Sequence, residues 1–415
     1  MPQENILLAR QPIYDINLNI YAYELLFRAD SHQQSYKEIG ADAATSTVIF
    51  NAFSEVGIHN VVGEHRAFIN FTRNLILDPP PFTSGEIVIE VLEDVEPEPE
   101  ILASLQQFKQ QGYTIALDDF KYHKSLQPLV DLADIIKIDV LDLTRDELIA
   151  HAAMLQNDHL KLLAEKVESQ EMYDFCKSLG FSFFQGYFLS RPKAVKGRKV
   201  PADKLVVMRL LSDLQTPDIT PQELNETISK DAALSFKLLR MVNSAAYRRP
   251  NKIESLYRAI LLIGLKDIKH WASLLALSSL NDKPHALAEL TMTRAKMCEL
   301  IGTYIHSGQS DLFYTVGMFS MLDAYFDTPL EALLESMSFT DEINDALLKH
   351  EGVLGFVLKT AIAYENGNWG EIDWQGLSRY GLSIADIKEA YLESLQWYEE
   401  RGQNVLSEGF GKPNE

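Results

Sequence analysis

The 415-residue chain predicts an α/β barrel followed by an all-α domain. Three observations predict it. Short apolar runs alternate with helical stretches through the first half, which is the pattern of βαβ units and a parallel sheet. Several of these runs close on an acidic or amide residue, as expected where a parallel barrel gathers its strand ends on one face. Beyond Lys204 the apolar residues recur at helical spacing only.

In chain order the runs are IYAYELLFR (20–28), RAFINFT (66–72), EIVIEVLED (86–94), YTIALDDF (113–120), IIKID (135–139), LKLLAEKVE (160–168) and FSFFQGY (181–187). Residues 100–111 and 170–179 read as helices between them. EDVEPEPE (93–100) reads as a solvated loop after its first residue. At Lys193 the texture changes: KAVKGRKVPADK is basic, holds Gly197 and Pro201, and lacks apolar periodicity, so it reads as a linker or domain edge. KLVVMRLLSDL, ELNETISKDAALSFKLLRMVNSAAY and SLYRAILLIGL then show i, i+3, i+4 spacing, and such patterns continue to about Glu400. The expected boundaries are 1–195 for the barrel, 196–205 for the linker, 206–400 for the helical domain and 401–415 for a frayed tail.

Composition narrows the function classes. Hydrophobic residues at 46% and charged residues at 23% are ordinary for a globular protein, and 415 residues suit two cores. A formal charge of −21 repels nucleic acid phosphates, so no nucleic acid partner is expected. No apolar run is long enough for a membrane span, and MPQENILLAR lacks the basic and apolar regions of a secretory signal. Cys176 and Cys298 form no metal motif and suit a reducing compartment, so a cytoplasmic protein is expected.

The chemistry concentrates at the ends of the runs. Glu24, Asn70, Glu90, Asp118 with Asp119, and Glu165 supply oxygen donors, while Lys137 and Gln185 close two more runs. Any one of them alone reads as a helix cap or turn residue. Together they are the hard donor set that a divalent cation needs. The adjacent carboxylates Asp118 and Asp119 repel each other unless a cation or proton is shared, which favours a two-metal site.

In this order the motifs resemble the EAL domain, a module that hydrolyses or binds cyclic di-GMP. The resemblance spans the first ~190 residues: QPIYD (11–15), ELLFR (24–28) where the family has EALLR, NFT around Asn70, EVLE (90–93), DDF (118–120), KID (137–139), AEKVE (164–168) and QGYFLSRP (185–192). It implies a modified TIM-type barrel. It further implies that Glu24, Asn70, Glu90, Asp118 and Asp119 hold two Mg²⁺ or Mn²⁺ ions. Glu165 is then the general base on the attacking water and Lys137 orients that water. Arg28 would contact a phosphate, Gln11 the nucleotide, Glu168 and Gln185 would support the pocket, and Glu93 would anchor the loop after Asp119. A homodimer through this domain is a further implication.

Three departures stand out. Leu25 replaces the family's Ala, Lys166 replaces a Gly beside the expected base, and DFKYHKSLQ (119–127) replaces a Gly-rich loop. Lys121, His123 and Lys124 are expected to compete with the second cation or to misplace Asp119. Two outcomes therefore stand: a phosphodiesterase that linearises cyclic di-GMP to pGpG, or a non-catalytic receptor for it.

The second half resembles an HDOD domain over Thr220–Trp271, chiefly in NSAAY (243–247) and in Ala259–Gly264. That family is related to HD phosphohydrolases without their metal motif. This chain has no His-Asp dipeptide, and His270, His285, His306 and His350 show no ligand spacing, so packed or exposed histidines are expected. The resemblance implies a regulatory module with a protein partner. Arg248, Arg249 and Lys252 read as a solvated basic loop.

Overall fold

The computed structural model describes residues 6–29, 57–80, 82–155, 159–190, 202–216, 218–243, 253–280, 283–305, 310–335, 337 and 339–402. The chain divides into two compact units, one of Met1–Leu189 with Tyr364–Glu371, the other of Ser190–Ala363 with Ile372–Glu415.

The first unit is a closed barrel of eight strands in sequence order: β1 (Ile6–Asp15), β2 (Ile20–Ala29), β3 (Arg66–Phe71), β4 (Ile87–Val91), β5 (Thr114–Leu117), β6 (Ile135–Asp139), β7 (Lys161–Glu165) and β8 (Phe183–Gln185). From β2 to β8 neighbouring strands run parallel. The expected modified TIM-type barrel departs from the all-parallel pattern at β1, which is antiparallel to both β2 and β8. The cause is local. β1 and β2 are joined by a tight turn in which the Asp15 carboxylate accepts from Asn17 N at 2.8 Å and Asn19 N at 2.9 Å. So short a connection can only reverse the chain, because a parallel partner needs a crossover of about a dozen residues.

The barrel interior begins with a ring of apolar side chains, one from each strand: Ile13, Ala22, Phe68, Val88, Ala116, Ile135, Leu163 and Phe183. Tyr21 stacks on Phe183 with ring centroids 4.1 Å apart. Side chains two residues apart on a strand face the same way. The residues two positions further toward the strand C-termini therefore stand directly above this floor. They are Glu24, Asn70, Glu90, Asp118, Lys137, Glu165 and Gln185, with Gln11 entering from the reversed strand β1.

All the regular secondary structure among the second unit's described residues is helical. Its helices include Ala202–Leu214, Pro221–Ser229, Ala232–Val242, Leu256–Ile263, Leu265–Ser278, His285–Ile305, Ser310–Phe319, Asp341–Lys349, Ile384–Trp397 and all but the last two residues of Gly352–Glu365. Thr220, Pro221 and Glu223 start the second of these with a complete capping box. One core joins Leu224, Ile228, Leu238, Met241, Ile260, Ile268 and Trp271. Of the NSAAY motif, Asn243 is described. Its side chain donates to Leu239 O and Ile253 O at 2.8 and 2.9 Å and accepts from Ile253 N at 2.7 Å, clamping the two ends of a connection. Residues 244–252, including Arg248, Arg249 and Lys252, lie outside the described residues, as do His306, most of the expected linker and residues 403–415. Residues 202–205, expected in the linker, open a helix. His270 is buried flat against Tyr314, with ring centroids 3.6 Å apart. Burial, then Lys266, Lys269 and Lys296, holds its imidazole well below the ordinary range, so it is neutral. No described helix is long and apolar enough to cross a membrane.

The floor ring admits no added bulk. Ala116→Leu should cost about 1–3 kcal/mol by overpacking, read as a lower urea midpoint at unchanged slope. An unchanged midpoint would mean that the ring is not tightly packed.

Candidate active site

The polar ring is organised around Lys137. Its ammonium, 1% exposed, donates to Asp118 at 2.8 Å and Glu24 at 3.2 Å, pairs with Glu165 at 2.9 Å, and binds Glu90. Burial alone would lower its pKa, but Glu24, Glu90, Glu165 and Asp118 overrule that and raise it well above the ordinary lysine value. The ammonium is therefore a permanent charge.

One ammonium cannot balance four acids, and the acids respond. The Glu165 carboxyl is pushed up to about 8, first by burial and then by Asp118 and Glu24 against the pull of Lys137. Glu90, fully buried, is raised well above the ordinary carboxylate range, again by burial first. Gln185 ties the other side of the ring, donating to Glu24 at 2.8 Å and to Gln11 at 3.0 Å. Its successor Gly186 has φ 144°, and a Cβ there would lie 2.2 Å from Val167 O, so only glycine lets β8 pass the end of β7.

Glu24 lies mid-way along β2 rather than at its end, as the sequence reading had it. β2 pairs with β3 only from Ala22 to Glu24, then continues as a two-stranded ribbon with β1. Glu24 thus stands at the rim of the closed barrel even though its strand does not stop there.

Asp119 follows β5 in a left-handed conformation, φ 41°, and lies exposed at the lip. Desolvation and then Asp118 raise its carboxyl. It does not join the cluster on Lys137. Glu168 is half-buried and Glu93 is exposed. Among the described residues Glu93 makes no hydrogen bond to the loop it was expected to anchor. Arg28 lies on β2 opposite Leu7; its side chain is outside the described residues.

The loop 121–127 directs its basic groups elsewhere. Lys121 pairs with Asp142 at 3.2 Å, Tyr122 donates to Gln127 at 2.8 Å, and His123 caps the short turn Lys124–Leu126. Lys121, expected to compete with the second cation, is paired with Asp142. The sequence reading missed Asp139. It is buried at the end of β6, two residues beyond Lys137 and therefore on the same face. It accepts from Leu141 N at 2.8 Å and holds the Lys166 ammonium. Its spacing from Lys137 was the available signal.

The donor set can be tested against a divalent cation. Asn70 Oδ1, Glu90 Oε2, Glu165 Oε2 and Gln185 Oε1 are buried without a hydrogen-bond partner. Each such acceptor costs about 1–3 kcal/mol until something fills its lone pairs, and oxygen donors suit Mg²⁺ or Mn²⁺. Among the described residues no three His, Cys, Asp or Glu side chains stand preset around a common point for a metal, because the acids close on the Lys137 ammonium instead. The residues fit a hard cation by chemistry.

Comparisons with known proteins follow the same division of the chain. The EAL domain model matches residues 59–192 and the HDOD domain model residues 200–325. A protein named cyclic di-GMP phosphodiesterase CdgJ, from Vibrio cholerae, is 32% identical over 400 residues, covering 94% of this chain and 91% of its own length. YuxH of Bacillus subtilis, described as uncharacterized, is 32% identical over 406 residues, covering 94% of this chain and 98% of its own. A solved EAL domain protein from Listeria monocytogenes is 22% identical, with a TM-score of 0.38, covering 46% of this chain and 89% of that one. A barrel carrying an acid-lined polar ring on an apolar floor defines the class at the level of the fold and site. By its full-length relatives, the chain belongs to the EAL-domain family, in the form that carries an HDOD domain after the barrel.

Lys137→Met leaves four acids without their cation and should cost about 3–5 kcal/mol near neutral pH. Its measured stability should recover at low pH, where the acids are protonated. The sign follows from proton counting. A carboxyl raised in the folded state holds its proton between the ordinary carboxylate range and the raised value, so stability falls as pH rises through that window. For Glu165 in the wild type the window runs from 4.5 to about 8. A metal-free melting temperature that rose across it would contradict this cluster.

Proposed function

We propose that the protein is a phosphodiesterase that hydrolyses cyclic di-GMP to linear pGpG with two divalent cations. The observation that carries this reading is the polar ring: seven strands and the reversed β1 each deliver one polar side chain above the apolar floor. Within that ring, buried oxygens lack partners and the Glu165 carboxyl stands 2.9 Å from the Lys137 ammonium. The name of the Vibrio cholerae relative supports the substrate.

Mg²⁺ or Mn²⁺, when bound, lowers the pKa of water and neutralises phosphate charge. Glu24, Asn70, Glu90, Asp118 and Asp119 are the residues to hold the two ions. Glu165 takes the proton of the attacking water, whose oxygen bonds to phosphorus as one phosphorus–O3′ bond breaks and the departing O3′ gains a proton from solvent. Lys137 fixes the Glu165 carboxylate at 2.9 Å and orients the water. Arg28 receives a phosphate. Gln11, held by Gln185, meets the nucleotide. Glu168 supports the pocket, and Glu93 borders it.

The alternative, a non-catalytic receptor for cyclic di-GMP, rested chiefly on the loop 121–127. The pairing of Lys121 with Asp142 favours the first reading at one of that loop's three basic residues. The HDOD half is proposed as the regulatory module, coupling the barrel to a protein partner. A homodimer through the barrel is also part of the proposal.

Glu165→Gln keeps size and polarity while removing the base. It should bind cyclic di-GMP as the wild type does and lose about 10²–10⁴-fold in turnover; an undiminished rate would place the base elsewhere. Chelation of divalent cations should abolish hydrolysis and Mn²⁺ should restore it, since the donors are hard oxygens. Full turnover in excess chelator would remove the metal reading.

A further inference from the structure

Asp119, Asp139 and Lys166 stand on three successive strand ends outside the Lys137 cluster. Phe120 N donates to Lys137 O at 3.0 Å, which lays the segment after β5 along β6. Asp139 is the register neighbour of Glu165, so β6 and β7 end side by side. Lys166, the next residue, reaches back across that junction and pairs with Asp139.

The backbone there is unusual. Lys166 has φ 54°, and the nearby Asp119 has φ 41°. Left-handed geometry costs a non-glycine residue on the order of 1–2 kcal/mol. A lysine kept in a conformation natural to glycine, with its ammonium on a buried aspartate, is a strained feature placed at a functional rim. The charges agree with the geometry. Lys166 is raised above the ordinary lysine value, first by its hydrogen bond to Asp139, with Asp119 and Glu165 adding. The side chain is 55% exposed, so the ammonium is at the entrance rather than in the cluster.

We infer that Lys166 is a fixed cation built into the outer half of the mouth, where it occupies Asp139 and offsets Asp119, weakening the second divalent cation while leaving the first unaffected. This rests on the two-cation reading given above. The division follows from position: the inner acids Glu24, Glu90 and Asp118 answer to Lys137, while Lys166 pairs with Asp139 at the strand end beyond them, on the side where Asp119 follows β5. A positive charge close to a cation site repels the incoming ion, and in a partly desolvated mouth that repulsion is not fully screened. Lys166 is a positioning residue in this account and takes no proton.

Mn²⁺ titration of the full-length protein tests the inference, with free Mn²⁺ followed by electron paramagnetic resonance and heat by calorimetry. The wild type should show one tight and one weak ion. Lys166→Met removes the charge and keeps the strained backbone; Lys166→Gly removes both; Lys166→Arg keeps both. The second ion should tighten about ten-fold or more in the Met and Gly variants and stay weak in Arg, with the first ion unchanged in all three. Tightening in Gly but not Met would overturn the charge argument in favour of backbone strain. Equal second-site affinity in every variant would overturn the inference and leave the two-cation reading standing. One ion or none in wild type and variants alike would overturn both.

Discussion

The barrel can hold its acids only because one ammonium is buried among them. Lys137 lies 1% exposed with four carboxylates around it. Burying an unpaired charge costs several kcal/mol, and burying several of one sign costs more. Lys137 removes part of that cost, and the raised Glu165 and Glu90 remove more by holding protons. Some buried oxygens are still left without partners, including one each of Glu90 and Glu165. The cluster is thus balanced enough to fold and unbalanced enough to attract a cation. This is the compromise expected where stability gives way to chemistry.

A second constraint places the members. The floor ring and the polar ring are related by the two-residue period of a strand, applied eight times. Ala22 fixes Glu24, Phe68 fixes Asn70, Val88 fixes Glu90, and so around the barrel to Phe183 and Gln185. A one-residue slip in any strand would exchange a site residue for one facing the surrounding helices.

Much of this was readable in the chain. Oxygen-bearing residues ending successive apolar runs located the polar ring, because alternation along a strand is local information. Other features depend on partners that a linear reading does not reveal. The reversal of β1 follows from a turn held by Asp15, and the place of Glu24 at the rim follows from where β3 stops pairing with β2. Lys121 and Lys166 are both lysines standing near the acids in sequence. Only the fold distinguishes the first, paired outward with Asp142, from the second, turned onto Asp139. In the helical unit, periodicity gave the elements, while the stacking of His270 on Tyr314 joins two helices far apart in the chain.

The reversed first strand also bears on how the barrel assembles. Seven of the eight strand pairings join neighbours in sequence, but the seam between β1 and β8 pairs Ile13 with Gln185. Contacts between residues so distant along the chain are entropically the most demanding to make. The Gln185 bonds to Gln11 and Glu24 straddle this seam, so the ring is whole only when the cylinder is shut. Any ion or nucleotide that needs the whole ring binds the shut form alone and, by mass action, holds it shut. Ligand occupancy and resistance of the seam to opening are therefore two readings of one equilibrium.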